Sequence, residues 1–137
     1  MASDRIVLDS GALSVLAKGG SRLELALRRA LTTRKSMLLV PTAVIAEALT
    51  GDFRRDANLN RALKGTVLVD LDVGIARSAA ALRHTYRRAG AGTIDAIVVA
   101  TADLVVGTRV VTGDPADLRL LASMRGHTQV VALSELD

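Results

Sequence analysis

Five short runs of aliphatic and β-branched residues constrain this chain most: RIVL (5–8), MLLV (37–40), TVLV (66–69), RVVT (109–112) and QVVAL (129–133). Each is too short for a helix that must bury a stripe. Each is apolar on successive residues rather than alternate ones, the pattern of a strand covered on both faces. Longer segments with helical spacing separate them. Ser10 is placed to cap a helix that stops at Gly19. Ser21-Arg22-Leu23-Glu24 has capping-box form, with Leu23, Leu27, Ala30 and Leu31 on one helical face behind it. Pro41 suits the first turn of a helix carrying Val44, Ile45, Ala48 and Leu49, with Gly51 at its end. A polar helix is expected over 51–65, with Arg54-Arg55 near its start. Asp72 is placed to cap a helix running toward Gly90, Thr93 to cap the next, and PADLRLLASM (115–124) forms a last short one. The alternation predicts a three-layer α/β/α sandwich around a mostly parallel sheet. Spacing alone leaves the strand order open.

With 137 residues and no linker, repeat or low-complexity segment, the chain reads as a single domain over 1–137. Half of the residues are hydrophobic, which is enough for a core, and that core is aliphatic because Phe53 and Tyr86 are the only aromatics. The low aromatic content argues against a base-stacking platform for single strands. No cysteine is present, so a disulfide frame, a thiolate metal site and a cysteine nucleophile are excluded. MASDRIVLDS has no secretory pattern and no run is long enough to span a membrane, so a cytoplasmic protein is expected. The formal charge of +4, from 18 Lys+Arg against 14 Asp+Glu, favours a polyanionic partner or serves solubility alone.

Within this frame four acids recur in comparable places. Asp9 directly follows the first strand, Glu47 sits in the helix after the second, Asp114 follows the fourth, and Asp95 opens the apolar helix TIDAIVVATA (93–102). Open α/β sheets gather ligands at the carboxyl ends of their strands. Taken singly, each acid has a plain structural role: a turn for Asp9, a helix N-terminal preference for Glu47 and Asp95, a helix start for Asp114. Together they form an oxygen-only donor set. Asp95 shares a face with Val98, Val99 and Ala102, and an inward carboxylate is costly unless it is paired or binds a metal. Such a set suits a hard cation, Mg²⁺ or Mn²⁺. His84, among arginines, and His127, after Gly126, read as surface residues.

The segments IVLDSGAL (6–13), VPTAVIAEAL (40–49), TIDAIVVATA (93–102) and VVTGDPADL (110–118) resemble, in order and spacing, the signature segments of PIN-domain ribonucleases. The likeness is greatest to the toxin subunits of bacterial VapBC-type toxin–antitoxin pairs. By position, the resemblance implies that Asp9, Glu47, Asp95 and Asp114 are the metal-binding and catalytic quartet. It makes Asp117 a further, supporting acid, and Thr112 and Ser10 polar neighbours that hold a carboxylate or a water, Ser10 being equally well explained as a helix cap. Leu118 stands where the family pattern has an aromatic, a change expected to affect packing, and AGAG (89–92) lacks the polar residues often found before the acid at 95. The resemblance further implies a Mg²⁺- or Mn²⁺-dependent endoribonuclease, a homodimer, and a small cognate antitoxin that blocks the site.

The arginine pairs Arg28-Arg29, Arg34-Lys35, Arg54-Arg55 and Arg87-Arg88 are candidate phosphate contacts or solvated helix faces. Arg54-Arg55 ranks first, because its segment follows the Glu47 helix. A receiver-like phosphoacceptor, with Asp70 and Thr112 after strands, is an alternative, but Asp9 has no adjacent acidic partner and no lysine-proline pair follows the last strand. No glycine-rich phosphate loop follows a strand, which weakens a nucleotide-binding module. A non-catalytic partner-binding module that keeps the fold is the remaining alternative.

Overall fold

The computed structural model describes residues 4–19, 22–33, 36–86, 92–123 and 128–136. Five strands form one sheet: β1 (Arg5–Leu8), β2 (Met37–Pro41), β3 (Val67–Val69), β4 (Arg109–Thr112) and β5 (Gln129–Ala132). Their order is β3-β2-β1-β4-β5, and every neighbouring pair is parallel. The chain therefore winds outward from β1 to β3, crosses back, and winds from β4 to β5. The direction reverses between β1 and β4, which opens a crevice at their carboxyl ends.

The helices are α1 (Ser10–Lys18), α2 (Arg22–Thr33), α3 (Thr42–Ala48), α4 (Ala57–Leu63), α5 (Val73–Tyr86), α6 (Thr93–Ala102) and α7 (Pro115–Ala122), with a 3₁₀ turn over Leu133–Leu136. Right-handed crossovers put α1, α2 and α4 on one face and α5, α6 and α7 on the other. The packing agrees: α1 contacts α2 and α4, and α6 contacts α5 and α7. Helix α6 lies across the sheet centre against β1, β2 and β4, and every residue from Ala96 to Ala102 is buried. Helix α3, which starts where β2 ends, touches both α1 and α6. The expected three-layer sandwich is the observed one. No described helix is long and apolar enough to cross a membrane.

Local expectations differ in several places, each for a physical reason. The strand at 66–69 is not enclosed: Val67 and Leu68 are exposed, because β3 is an edge strand with a single neighbour. Pro41 closes β2 and stands before α3 instead of inside its first turn, where its fixed φ of −61° serves the extended chain equally well. The polar helix is shorter than 51–65 and occupies only Ala57–Leu63, since backbone N–H groups donating to the Asp52 and Asp56 carboxylates fold the preceding residues into a turn. Thr93 does not cap α6; Gly92 does, and Thr93 is the first helical residue. Ser10 likewise starts α1, and the cap is Asp9. Asp72 does cap α5, its Oδ1 accepting from the Ile75 N–H at 2.8 Å, and Gly19 ends α1 at a φ of +63°. The expected extension of α5 to Gly90, the pairs Arg34-Lys35 and Arg87-Arg88, Ser21 of the capping box, and His127 lie outside the described residues.

Candidate metal centre in the β1–β4 crevice

Asp9 is built into the crevice by register. Leu8 pairs with Val111, so the next residue of each strand, Asp9 and Thr112, meet at the carboxyl edge. Asp9 is buried, and both of its oxygens are engaged. Oδ1 accepts from the Ala12 N–H at 2.8 Å, which satisfies an orphan donor of α1. Oδ2 accepts from the hydroxyl of Thr112, whose side chain is fully buried. The same Thr112 oxygen accepts from the Asp114 N–H at 2.9 Å. One hydroxyl thus ties the end of β1 to the turn after β4. That turn also comes close through glycines: a Cβ on Gly11 would stand 3.4 Å from the Gly113 nitrogen and 3.5 Å from Asp9 Oδ1. Gly11 and Gly113 are site-shaping residues that the sequence reading passed over. Their signal was present, a glycine two residues after Asp9 and one before Asp114.

Asp95 enters from the other layer. It is the third residue of α6, and its carboxylate accepts from the backbone N–H of Gly92, the reciprocal half of a capping box. It is half-buried, and the buried run of α6 begins at the next residue. Burial pushes the Asp95 carboxyl above the ordinary aspartate value of 3.8, the Gly92 bond opposes this, and the charges of Asp117, Asp9 and Glu47, in that order, push it further up. Asp9 is also raised, chiefly by burial; its bonds to Thr112, Ala12 and Gly11 oppose the shift, and the Glu47 charge adds to it. Asp95 thus feels the charges of residues 9, 47 and 117, and Asp9 that of Glu47, although these residues come from separate elements.

Asp117 is the third residue of α7 and partly buried, and its field on Asp95 exceeds that of Asp9 or Glu47. Asp114 sits at the N-cap position of α7 but makes no side-chain cap bond; it is exposed and is held near Asp9 through its backbone bond to Thr112. Glu47 is exposed near the end of α3. Ser10 is partly buried at the start of α1. Arg54 and Arg55 are exposed in the turn before α4. Arg28 and Arg29 are exposed on α2, where Arg28 pairs with Glu24. His84 is exposed, as expected.

The donor set suits a hard divalent cation. It is all oxygen, and two of its carboxyls, Asp9 and Asp95, hold protons more tightly, chiefly through burial and further through the charges of nearby acids. Among the described residues no group of three or more His, Cys, Asp or Glu side chains is gathered closely enough to hold a metal ion.

A family model described as the PIN domain matches residues 6–123. The chain belongs to the PIN-domain family. The match covers β1 through α7 and so every acid discussed above, and it removes the receiver-like alternative. Solved structures agree in fold. DNA-bound VapBC from Salmonella typhimurium aligns with a TM-score of 0.73 at 15% identity, over 95% of this chain and 98% of that one. VapBC-1 from nontypeable Haemophilus influenzae gives 0.69 at 13%, over 95% and 98%. FitAcB from Neisseria gonorrhoeae gives 0.64 at 17%, over 94% and 98%. At such identities the likeness is one of fold. No curated protein matches the chain by sequence.

Proposed function

We propose that this PIN domain is a divalent-metal-dependent endoribonuclease and acts as the toxin of a type II toxin–antitoxin pair. The observation that carries the proposal is the buried Asp9 carboxylate held by Thr112 where the carboxyl ends of β1 and β4 meet, with Asp9 and Asp95 both raised, chiefly by burial and further by the charges of neighbouring acids. Asp9, Glu47, Asp95 and Asp114 are the proposed metal-binding and catalytic residues, with Asp117, Thr112 and Ser10 in support. Asp117 stands closer in influence to Asp95 than the family-derived ranking of the acids suggested. A bound Mg²⁺ or Mn²⁺ would supply Lewis acidity and a nucleophile usable at neutral pH.

The chain's own residues do the rest. Thr112 fixes the Asp9 carboxylate, so its position does not depend on the ion. The Gly92 N–H fixes Asp95. Three helices, α1, α6 and α7, begin around the crevice, and their N-terminal dipoles favour negative charge there, including a phosphodiester. Arg54 and Arg55 are the proposed phosphate contacts outside the acids. A small antitoxin as partner is supported by the fold neighbours, which are VapBC and FitAcB structures. A homodimer in the cytoplasm completes the proposal.

The test is cleavage of RNA with Mg²⁺ or Mn²⁺ by the wild type and by Asp95→Asn. Cleavage by the wild type that falls at least a hundredfold in the variant is the expected result, in line with losing a group that acts on the reacting phosphate. Equal cleavage by both removes Asp95 from the mechanism.

A further inference from the structure

Phe53 is the chain's only phenylalanine, and it is 86% exposed. The loop that carries it is tied down. The buried Asp56 carboxylate accepts from the Thr50 N–H at 2.9 and 3.2 Å, from the Thr50 hydroxyl at 2.9 Å and from the Gly51 N–H at 2.9 Å. Asp52 Oδ1 accepts from the Arg54 and Arg55 N–H groups at 2.9 and 3.1 Å, and the Asp52 N–H donates to Thr50 Oγ1 at 3.1 Å. Gly51, at a φ of +87°, makes the sharp bend. Two acids thus hold the backbone from 50 to 56, and that backbone, exposed from Thr50 to Arg55, carries Phe53, Arg54 and Arg55 into solvent. Among the described residues no ion pair holds the guanidinium of Arg54 or Arg55.

The place matters as much as the rigidity. The loop follows α3, and Phe53 is only six residues from Glu47, so it lies within roughly 20 Å of that acid by chain reach. A strand of nucleic acid that put a phosphate in the β1–β4 crevice could reach it. A loop needed only to connect α3 to α4 gains nothing from an aromatic ring in water. A base to stack on gives the ring a partner, and flanking phosphates give the two cations theirs.

We propose that loop 50–56 is a binding prong for single-stranded RNA, in which Phe53 stacks on an unpaired base and Arg54 and Arg55 neutralise the adjacent phosphates. The inference rests on the ribonuclease proposal and names the form of its substrate. Stacking needs a free base face, which a duplex does not offer, and it tolerates any base. The scarcity of aromatics excludes a platform of several rings, but a single ring on a pinned loop needs no second.

Binding is measured by fluorescence anisotropy with an unstructured oligoribonucleotide in metal-free buffer across a salt series. The proteins are the wild type, Phe53→Ala, Phe53→Tyr and the double variant Arg54→Ala/Arg55→Ala. Phe53→Ala is expected to bind about tenfold more weakly, with Phe53→Tyr close to wild type. On an abasic strand of the same length, wild type and Phe53→Ala should bind alike. The double arginine variant should flatten the dependence of log affinity on log salt by about 1.4, on both strands. Phe53→Ala binding as wild type overturns the prong, as does an equal loss on the abasic strand. If the wild type cleaves RNA while Phe53→Ala binds normally, the prong alone falls. If the wild type neither binds nor cleaves RNA, the prong and the ribonuclease proposal fall together.

Discussion

At the scale of single residues, the plain and the chemical explanations of an acid coincide in one side chain. Asp9 Oδ1 caps α1 through Ala12 while Oδ2 is held by Thr112. Asp95 closes a capping bond to Gly92 while the charges of three other carboxylates raise its affinity for a proton. The two roles separate under substitution. Asn at position 9 keeps an oxygen for the Ala12 N–H and removes a buried charge, so metal-free Asp9→Asn should melt at or above the wild-type temperature. Asp9→Ala loses the cap and leaves the Thr112 hydroxyl without its acceptor, and should cost about 1–2 kcal/mol. Thermal unfolding in a chelator checks both. If Asn is as damaging as Ala, relief of charge repulsion is too weak to matter and the bond to Thr112, not the cap that Asn retains, carries the stability of the residue. Asp9, Asp95 and Asp114 stand out in the sequence because each follows a strand or opens a helix, whereas Glu47 lies near the end of α3 and has no such local mark. The grip of Thr112 and the approach of Gly11 to Gly113 depend on which strand lies beside β1, and nothing local encodes that neighbour.

At the scale of elements, periodicity located every strand to within a residue and every helix core, because burial on both faces leaves an uninterrupted apolar run. The misplaced pieces share a cause. Asp52 and Asp56 accept from the backbone N–H groups of 50, 51, 54 and 55 and hold this stretch in a turn ahead of α4, and side-chain competition of that kind does not alter hydrophobic spacing. β3 reads as buried because Val and Leu favour strands anywhere, whereas its exposure follows from standing at the edge. Helix α6 is the opposite case, buried all round and lying across three strands, with small residues at 96, 100 and 102 permitting the approach. Ala100 is 2% exposed, so Ala100→Leu must displace packed neighbours. A loss of about 1–3 kcal/mol in denaturant unfolding is expected. An unchanged midpoint would mean that α6 has slack against its neighbours, and that Asp95 is less firmly positioned than its backbone bond implies.

For the whole molecule, a net charge of +4 surrounds a pocket of carboxylates. The overall field draws a polyanion in, and the pocket repels it until a cation is bound. The same charges set how stability responds to pH. Asp9 and Asp95 have folded-state pKa values above the ordinary 3.8, so the folded chain holds their protons more tightly than the unfolded one. Their destabilising effect is complete above the raised values and vanishes as pH falls toward 3.8, so without metal they make the chain more stable on mild acidification. Asp56 works the other way. Its backbone bond to Thr50 leads the interactions that hold it below 3.8, so its contribution is present above 3.8 and is lost as pH falls through its lower folded value. A divalent ion competes with the protons of Asp9 and Asp95 and binds only the folded site. It should therefore raise the melting temperature most at neutral pH, by an amount equivalent to about 2.7 kcal/mol at a hundred times its Kd, and progressively less toward pH 4. Scanning the wild type and Asp9→Asn/Asp95→Asn with and without Mn²⁺ reads this directly. The wild type should show a gain that shrinks with acid, and the double variant little gain at any pH. A gain that survives in the double variant places the ion elsewhere on the molecule, and a wild type indifferent to Mn²⁺ at neutral pH leaves the crevice without the cation its carboxylates call for.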